Sequence, residues 1–129
     1  MALNTETREC LWAGAFRSLI IINSDGEFEK IDGNKYPVGG AQLDSERKFT
    51  THKRQLNKND SLYMFTDGYA DQFGGDKGKK FMVKRFHDIL LSIHEYSCKE
   101  QQKELEAKFN NWRGPFEQVD DVWGIGIKM

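Results

Sequence analysis

The chain has 129 residues, 38% of them hydrophobic and 12% aromatic, which is enough for the core of one domain and too few for two. Its 19 basic and 20 acidic side chains nearly cancel, so a net charge of -1 provides no bulk attraction to nucleic acid or to a membrane. Uninterrupted apolar runs such as Leu19 to Ile22 are far too short to cross a bilayer, and no basic-then-apolar export pattern opens the sequence, so the expected compartment is the cytoplasm.

Cys10 and Cys98 match no metal-binding spacing and are expected as free thiols. Glu9 to Ala15 and Arg17 to Asn23 are rich in bulky apolar residues and are predicted as strands. Ser24-Asp25-Gly26 supplies a turn, and Phe28 to Ile31 resumes a strand before Asp32-Gly33-Asn34. The expectation is a meander of antiparallel hairpins. Tyr36-Pro37-Val38-Gly39-Gly40 breaks regular structure. Phe49 to Leu56 mixes apolar and polar residues, as an edge strand does, and Asn57 to Asp60 is a polar turn. Ser61 to Thr66 has apolar residues on both faces, the pattern of a strand buried on both sides.

The second half turns helical. Met82, Phe86, Ile89, Leu90 and Ile93 fall on one helical stripe. Ser97 and Glu100 form a Ser-x-x-Glu capping box that predicts a second helix. Leu105, Phe109 and Trp112 give that helix a core face, and Arg113-Gly114-Pro115 stops it. Val122 to Lys128 is a returning strand, with Trp123, Ile125 and Ile127 on one face. Gly124 and Gly126 lie on the other, where a neighbour is expected to pack close. Trp12, Trp112 and Trp123 are read as packing residues, and His87 and His94 as surface or packing residues. Strands, two helices and a last strand make an α+β fold, an antiparallel β-sheet packed with two antiparallel helices.

The segment "FTDGYADQ", residues 65 to 72, raises the question of chemistry. An apolar strand stops at Thr66-Asp67-Gly68, and Asp71 follows. Asp-Gly suits an ordinary turn; an acid fixed at a strand end also suits a metal ligand. Asp120 and Asp121 sit just before the last strand. If the two strands are antiparallel neighbours, the end of one lies beside the start of the other, and the acids meet. Hard divalent cations take oxygen ligands of this kind, and converging carboxylates repel unless a cation or proton compensates.

"LYMFTDGYADQFGGDKGKKF" followed by "EQVDDVWGIGIKM" resembles the C-terminal half of the bacterial SpoIIE-type serine phosphatase domain, a branch of the type 2C metal-dependent protein phosphatase (PPM) superfamily. "LWAGAFRSLIIIN", the Asp-Gly-Glu turn at 25 to 27 and "YPVGG" follow the same pattern, so the resemblance spans the chain. It implies a partial phosphatase 2C-like fold, an incomplete αββα sandwich, with residues 1–129 as the C-terminal portion of the domain. It also implies hydrolysis of phosphoserine or phosphothreonine with two Mg²⁺ or Mn²⁺ ions, which activate a water and neutralise the phosphate. Asp67 and Asp120 match the family's metal ligands. Asp121 matches a supporting position, Gly68 lets the chain pass close to the ion, and Asp71 either adds to the site or opens the helix that follows.

The chain departs from the family by carrying Trp123 where Thr or Ser is usual, and by lacking the early Asp-Gly-x-Gly-His-Gly type motif. It is therefore expected to be a fragment, inactive alone. "FGGDKGKK" lacks the spacing of a phosphate loop. Lys77, Lys79 and Lys80 are either substrate-facing or part of a solvated basic loop. Expected partners are a phosphorylated protein such as an anti-anti-sigma-like regulator, upstream sensor domains, and a second copy of the fragment, with no nucleic acid or membrane. The alternative is a non-catalytic phosphoprotein-binding or regulatory module of the same fold.

Overall fold

The computed structural model describes residues 1–39 and 47–129; Gly40 of the expected Tyr36–Gly40 break lies outside them. In chain order the elements are β1 (Ala2–Asn4), β2 (Glu9–Trp12), β3 (Leu19–Ile22), β4 (Phe28–Ile31), β5 (His52–Gln55), β6 (Ser61–Phe65), α1 (Gly68–Asp71), β7 (Phe73–Gly74), β8 (Lys79–Lys80), α2 (Val83–Ile93), α3 (Cys98–Arg113) and β9 (Gly124–Lys128).

The layering follows from β3. All four of its aliphatic residues are buried, and successive side chains of a strand point to opposite faces. Leu19 and Ile21 enter one core with Cys10, Trp12, Ile31, Leu56 and Leu62. Ile20 and Ile22 enter another with Tyr63, Tyr69, Phe81, Phe86, Leu90 and Phe109. The first core lies between two antiparallel sheets, ordered β1-β2-β5 and β4-β3-β6-β9. The second lies between the larger sheet and the helices. Helices, sheet and sheet are three layers of an αββα sandwich, a type 2C-like arrangement.

The expected single meander is therefore corrected. The β3–β4 hairpin forms, pairing Leu19 with Ile31 and Ile22 with Phe28, but β2 and β3 belong to different sheets. Phe16 turns the chain between them at φ 60°. Its amide donates to Asn34 O at 2.8 Å, and Asn34 N donates to Gly14 O at 2.8 Å. Backbone groups that a hairpin would have used are satisfied across these two loops instead. β5 takes the predicted edge position.

Among the described residues three helices form where two were expected, because Gly68–Asp71 makes one turn of its own. α2 begins at Val83; Met82 sits before it at φ 78° and is 59% exposed, so it leaves the predicted stripe. Phe86, Leu90 and Ile93 keep the buried face. The capping box of α3 forms as expected: Ser97 N donates to Glu100 Oε2 at 3.0 Å, and Glu100 N to Ser97 Oγ at 3.4 Å. Ser97→Ala should cost about 1 kcal/mol, read as a lower denaturant midpoint; an unchanged midpoint would contradict that role for the cap.

β9 closes the larger sheet at its open edge. Trp123 beside it is 57% exposed, so of the three tryptophans this one is not a packing residue, whereas Trp12 is buried and Trp112 packs on the helical core. Nor do Gly124 and Gly126 mark a close approach, since an added Cβ would meet its nearest neighbours at 3.5–3.6 Å, an ordinary contact. Among the described residues no helix is long and apolar enough to cross a membrane.

Candidate metal centre

β6 pairs antiparallel with β9 from Ser61↔Lys128 to Phe65↔Gly124. The exit of one strand thus meets the entry of the other. The pairing continues for one residue through a side chain. Thr66 N donates to Trp123 O at 2.9 Å, Thr66 Oγ1 accepts from Trp123 N at 3.0 Å, and the same hydroxyl donates to Asp121 O at 2.7 Å. Thr66 therefore ties the Asp67 loop to the Asp120–Asp121 loop. Trp123 contributes its backbone to this tie and its side chain stays exposed, so the departure from Thr or Ser leaves the strand contact intact.

Gly68 makes the tie possible. A Cβ there would lie 2.4 Å from Asp121 O and 2.9 Å from Asp121 C. The close backbone approach expected on the last strand occurs here instead. Gln72, fully buried at the end of α1, holds the other side of the loop. Its Nε2 donates to Glu117 O at 2.8 Å, and its Oε1 accepts from Val119 N at 3.4 Å.

Asp67 and Asp120 are both exposed at the resulting mouth. Arg17, from the loop between β2 and β3, places Nη1 2.7 Å from Asp67 Oδ2. That hydrogen bond holds the Asp67 carboxyl below the usual carboxylate range. Bonding to Asp67 raises the Arg17 pKa, and the negative charges of Asp67, Asp120 and Asp71 add to it. Asp120 Oδ1 accepts from Asp121 N at 2.7 Å, so Asp121 acts on its neighbour through the backbone. Asp71 closes α1 rather than opening α2, and it lies 3.3 Å from Lys80 Nζ. The expected basic loop is instead a tight β7–β8 ribbon that leaves Lys77 and Lys79 exposed.

The donors fit a hard cation. They are carboxylate oxygens, one already holds a guanidinium, and Gly68 keeps side-chain bulk away from the loop behind them. Among the described residues, however, no three His, Cys, Asp or Glu side chains group closely enough to enclose one ion. His87 stands apart from this cluster, packed on Phe28 with ring centroids 4.9 Å apart.

The family profile described as Stage II sporulation protein E (SpoIIE) matches residues 1–129. The chain belongs to the SpoIIE family. The fold is similar to the SiaA-PP2C domain of Pseudomonas aeruginosa, at 27% identity and a TM-score of 0.83, over 95% of this chain and 47% of that one. It is also similar to the PP2C phosphatase domain, with a fragment of the regulatory domain, of the cell fate determinant SpoIIE from Bacillus subtilis, at 15% identity and a TM-score of 0.72. That match covers 98% of this chain and 36% of the other, and at such identity it shows the fold alone. This SpoIIE-family chain thus spans about half or less of these two solved chains. No curated protein matches the sequence.

Three residues of the site carry no assignment in the sequence reading. Thr66 stands inside the Thr-Asp-Gly motif, and its position beside the acid is a usable signal. Arg17 lies in "LWAGAFRSLIIIN", where nothing local marks it. Gln72 has no sequence signal at all.

Proposed function

We propose that the chain is the C-terminal portion of a metal-dependent serine/threonine protein phosphatase domain acting on a phosphorylated bacterial signalling protein. The observation that carries this reading is the meeting of the Asp67 and Asp120 loops at the ends of β6 and β9, tied by Thr66 and Gly68. Asp67 and Asp120 hold Mg²⁺ or Mn²⁺. Thr66 fixes the separation of their loops, and the Asp121 amide orients the Asp120 carboxylate. Asp71 supports the rim through Lys80, while Lys77 and Lys79 present positive charge to an anionic phosphoprotein. A divalent ion held there would lower the pKa of a bound water, making it a nucleophile, and would neutralise phosphoryl charge.

Two carboxylates hold a hydrated ion loosely, so the remaining ligands come from the rest of a domain about twice this length. The open β9 edge, and a groove of about 780 Å³ lined by Tyr69, Leu105, Phe109, Trp123 and Ile125, give that remainder or a second copy an apolar seat. The protein then works in the cytoplasm, under sensor domains carried upstream, and an anti-anti-sigma-like regulator is a substrate of suitable kind. The lack of a three-ligand group among the described residues favours one second reading, a phosphoprotein-binding module without catalysis.

Hydrolysis of a phosphoserine peptide with Mn²⁺ separates the two. The 129-residue chain alone should be close to inactive, and the complete domain active and silenced by chelator. Fast turnover by the chain alone would refute the portion reading. An inert complete domain that still binds the phosphopeptide would establish the binding module.

A further inference from the structure

The Arg17 loop has a fixed base and a movable head. Its base is fixed by contacts on both sides. Phe16 is held at φ 60°, Arg17 N donates to Ala15 O at 2.6 Å, and Gly33 lies so close that a Cβ would sit 2.4 Å from Arg17 O. The head is the guanidinium, whose side chain is 52% exposed and can swing without disturbing the core. Its position is specific: Nη1 is 2.7 Å from Asp67 Oδ2, at the mouth where Asp120 and Asp71 also contribute negative charge.

We propose that Arg17 is a resident counter-cation of these acids: a divalent ion that binds Asp67 Oδ2 competes with the guanidinium for that oxygen, so Arg17 lowers the metal affinity of the site. The inference rests on the reading of Asp67 as a metal ligand. One carboxylate oxygen can face a guanidinium at 2.7 Å or a Mg²⁺ ion at about 2.1 Å. It cannot serve both at full strength, because the two cations repel at that separation. Arg is suited to the role, since it stays charged at every accessible pH and its planar fork matches a carboxylate. The consequence is a site that releases its ion readily and is not left as bare, mutually repelling acids.

The direction of the effect separates this role from a structural one. If Arg17 merely braced the acids, its removal would loosen them and weaken metal binding. If it competes, removal tightens binding. The measurement is a Mn²⁺ titration of the protein followed by the electron paramagnetic resonance signal of free Mn²⁺, for wild type, Arg17→Gln, Arg17→Lys and Asp67→Asn. Arg17→Gln should bind Mn²⁺ about threefold to tenfold more tightly than wild type, the scale of a lost partly exposed ion pair and a removed like charge. Arg17→Lys, which keeps the charge and loses the fork, should fall between them. Asp67→Asn should bind most weakly. Unchanged or weaker binding by Arg17→Gln, with Asp67→Asn still impaired, would overturn the Arg17 role and leave the metal site standing. Equal binding by wild type and Asp67→Asn would overturn the metal reading and the Arg17 role together.

Discussion

Gly68→Ala should lower the melting temperature by roughly 4–12 °C, the equivalent of about 1–3 kcal/mol for forcing extra volume into a filled space. The new Cβ would meet Asp121 O at 2.4 Å, Asp121 C at 2.9 Å and Asp120 C at 3.3 Å. All three are backbone atoms, so no rotamer change relieves the clash. The Asp121 carbonyl is itself held by Thr66 Oγ1 at 2.7 Å, and moving it breaks that bond or drags the β9 entry with it. Gly68 is not among the positive-φ glycines, so the penalty is steric and not conformational. Gly124→Ala is the internal control: its Cβ would lie 3.5 Å from the nearest atom, Met64 O, and a strand glycine gains order on replacement. The check is thermal unfolding of the two variants side by side. Equal melting temperatures would remove Gly68 from its place between the two acid loops.

The contrast between these glycines marks what a sequence can reveal. Periodicity places Gly124 and Gly126 on one face of a strand, but it does not say whether another layer covers the start of that strand, and here the first residues of β9 are exposed. The exposure of Trp123 has the same cause. Local signals with a complete short-range mechanism survive folding intact. The Ser97–Glu100 box needs only four consecutive residues, and the Phe28–Ile31 hairpin needs only a turn and two apolar runs. The convergence of Asp67 and Asp120 is legible because β6 ends and β9 begins at acids, and antiparallel pairing does the rest. The split between two sheets is not legible. It depends on Phe16 taking φ 60° and on loop bonds between residues 14–16 and Asn34, contacts that no pattern of period two encodes. Arg17 is hidden for the same reason, since its partner lies across that sheet-to-sheet crossing. Met82 shows the limit of the helical stripe: its spacing is right, but its amide is held by Ala70 O at 2.8 Å before the helix starts.

Asp67→Asn should abolish catalysis in the complete domain while leaving the fold nearly unchanged. Its carboxylate is about half exposed, and it pairs with an equally exposed Arg17. Such a pair contributes under about 1 kcal/mol to stability, and solvent screening reduces that further. The substitution keeps the size of the side chain and removes its charge. On the proposed function, what it takes away is an anionic oxygen for a divalent ion. Loss of a group that only orients a metal ligand commonly costs about 10–100-fold, so loss of a ligand itself should cost at least about 100-fold in kcat/KM. Asp120→Asn should behave alike, whereas Asp121→Asn should cost much less, because Asp121 reaches the site through its backbone amide and carbonyl. That ordering is the informative part, since general damage to the β6–β9 junction would affect Asp121, whose carbonyl bears the Thr66 bond, as much as its neighbours. The measurement is phosphoserine peptide hydrolysis by the complete domain at saturating Mn²⁺, with circular dichroism melts of the same preparations. Full activity in Asp67→Asn, or an activity loss matched by a collapse in melting temperature, would remove Asp67 from the metal site.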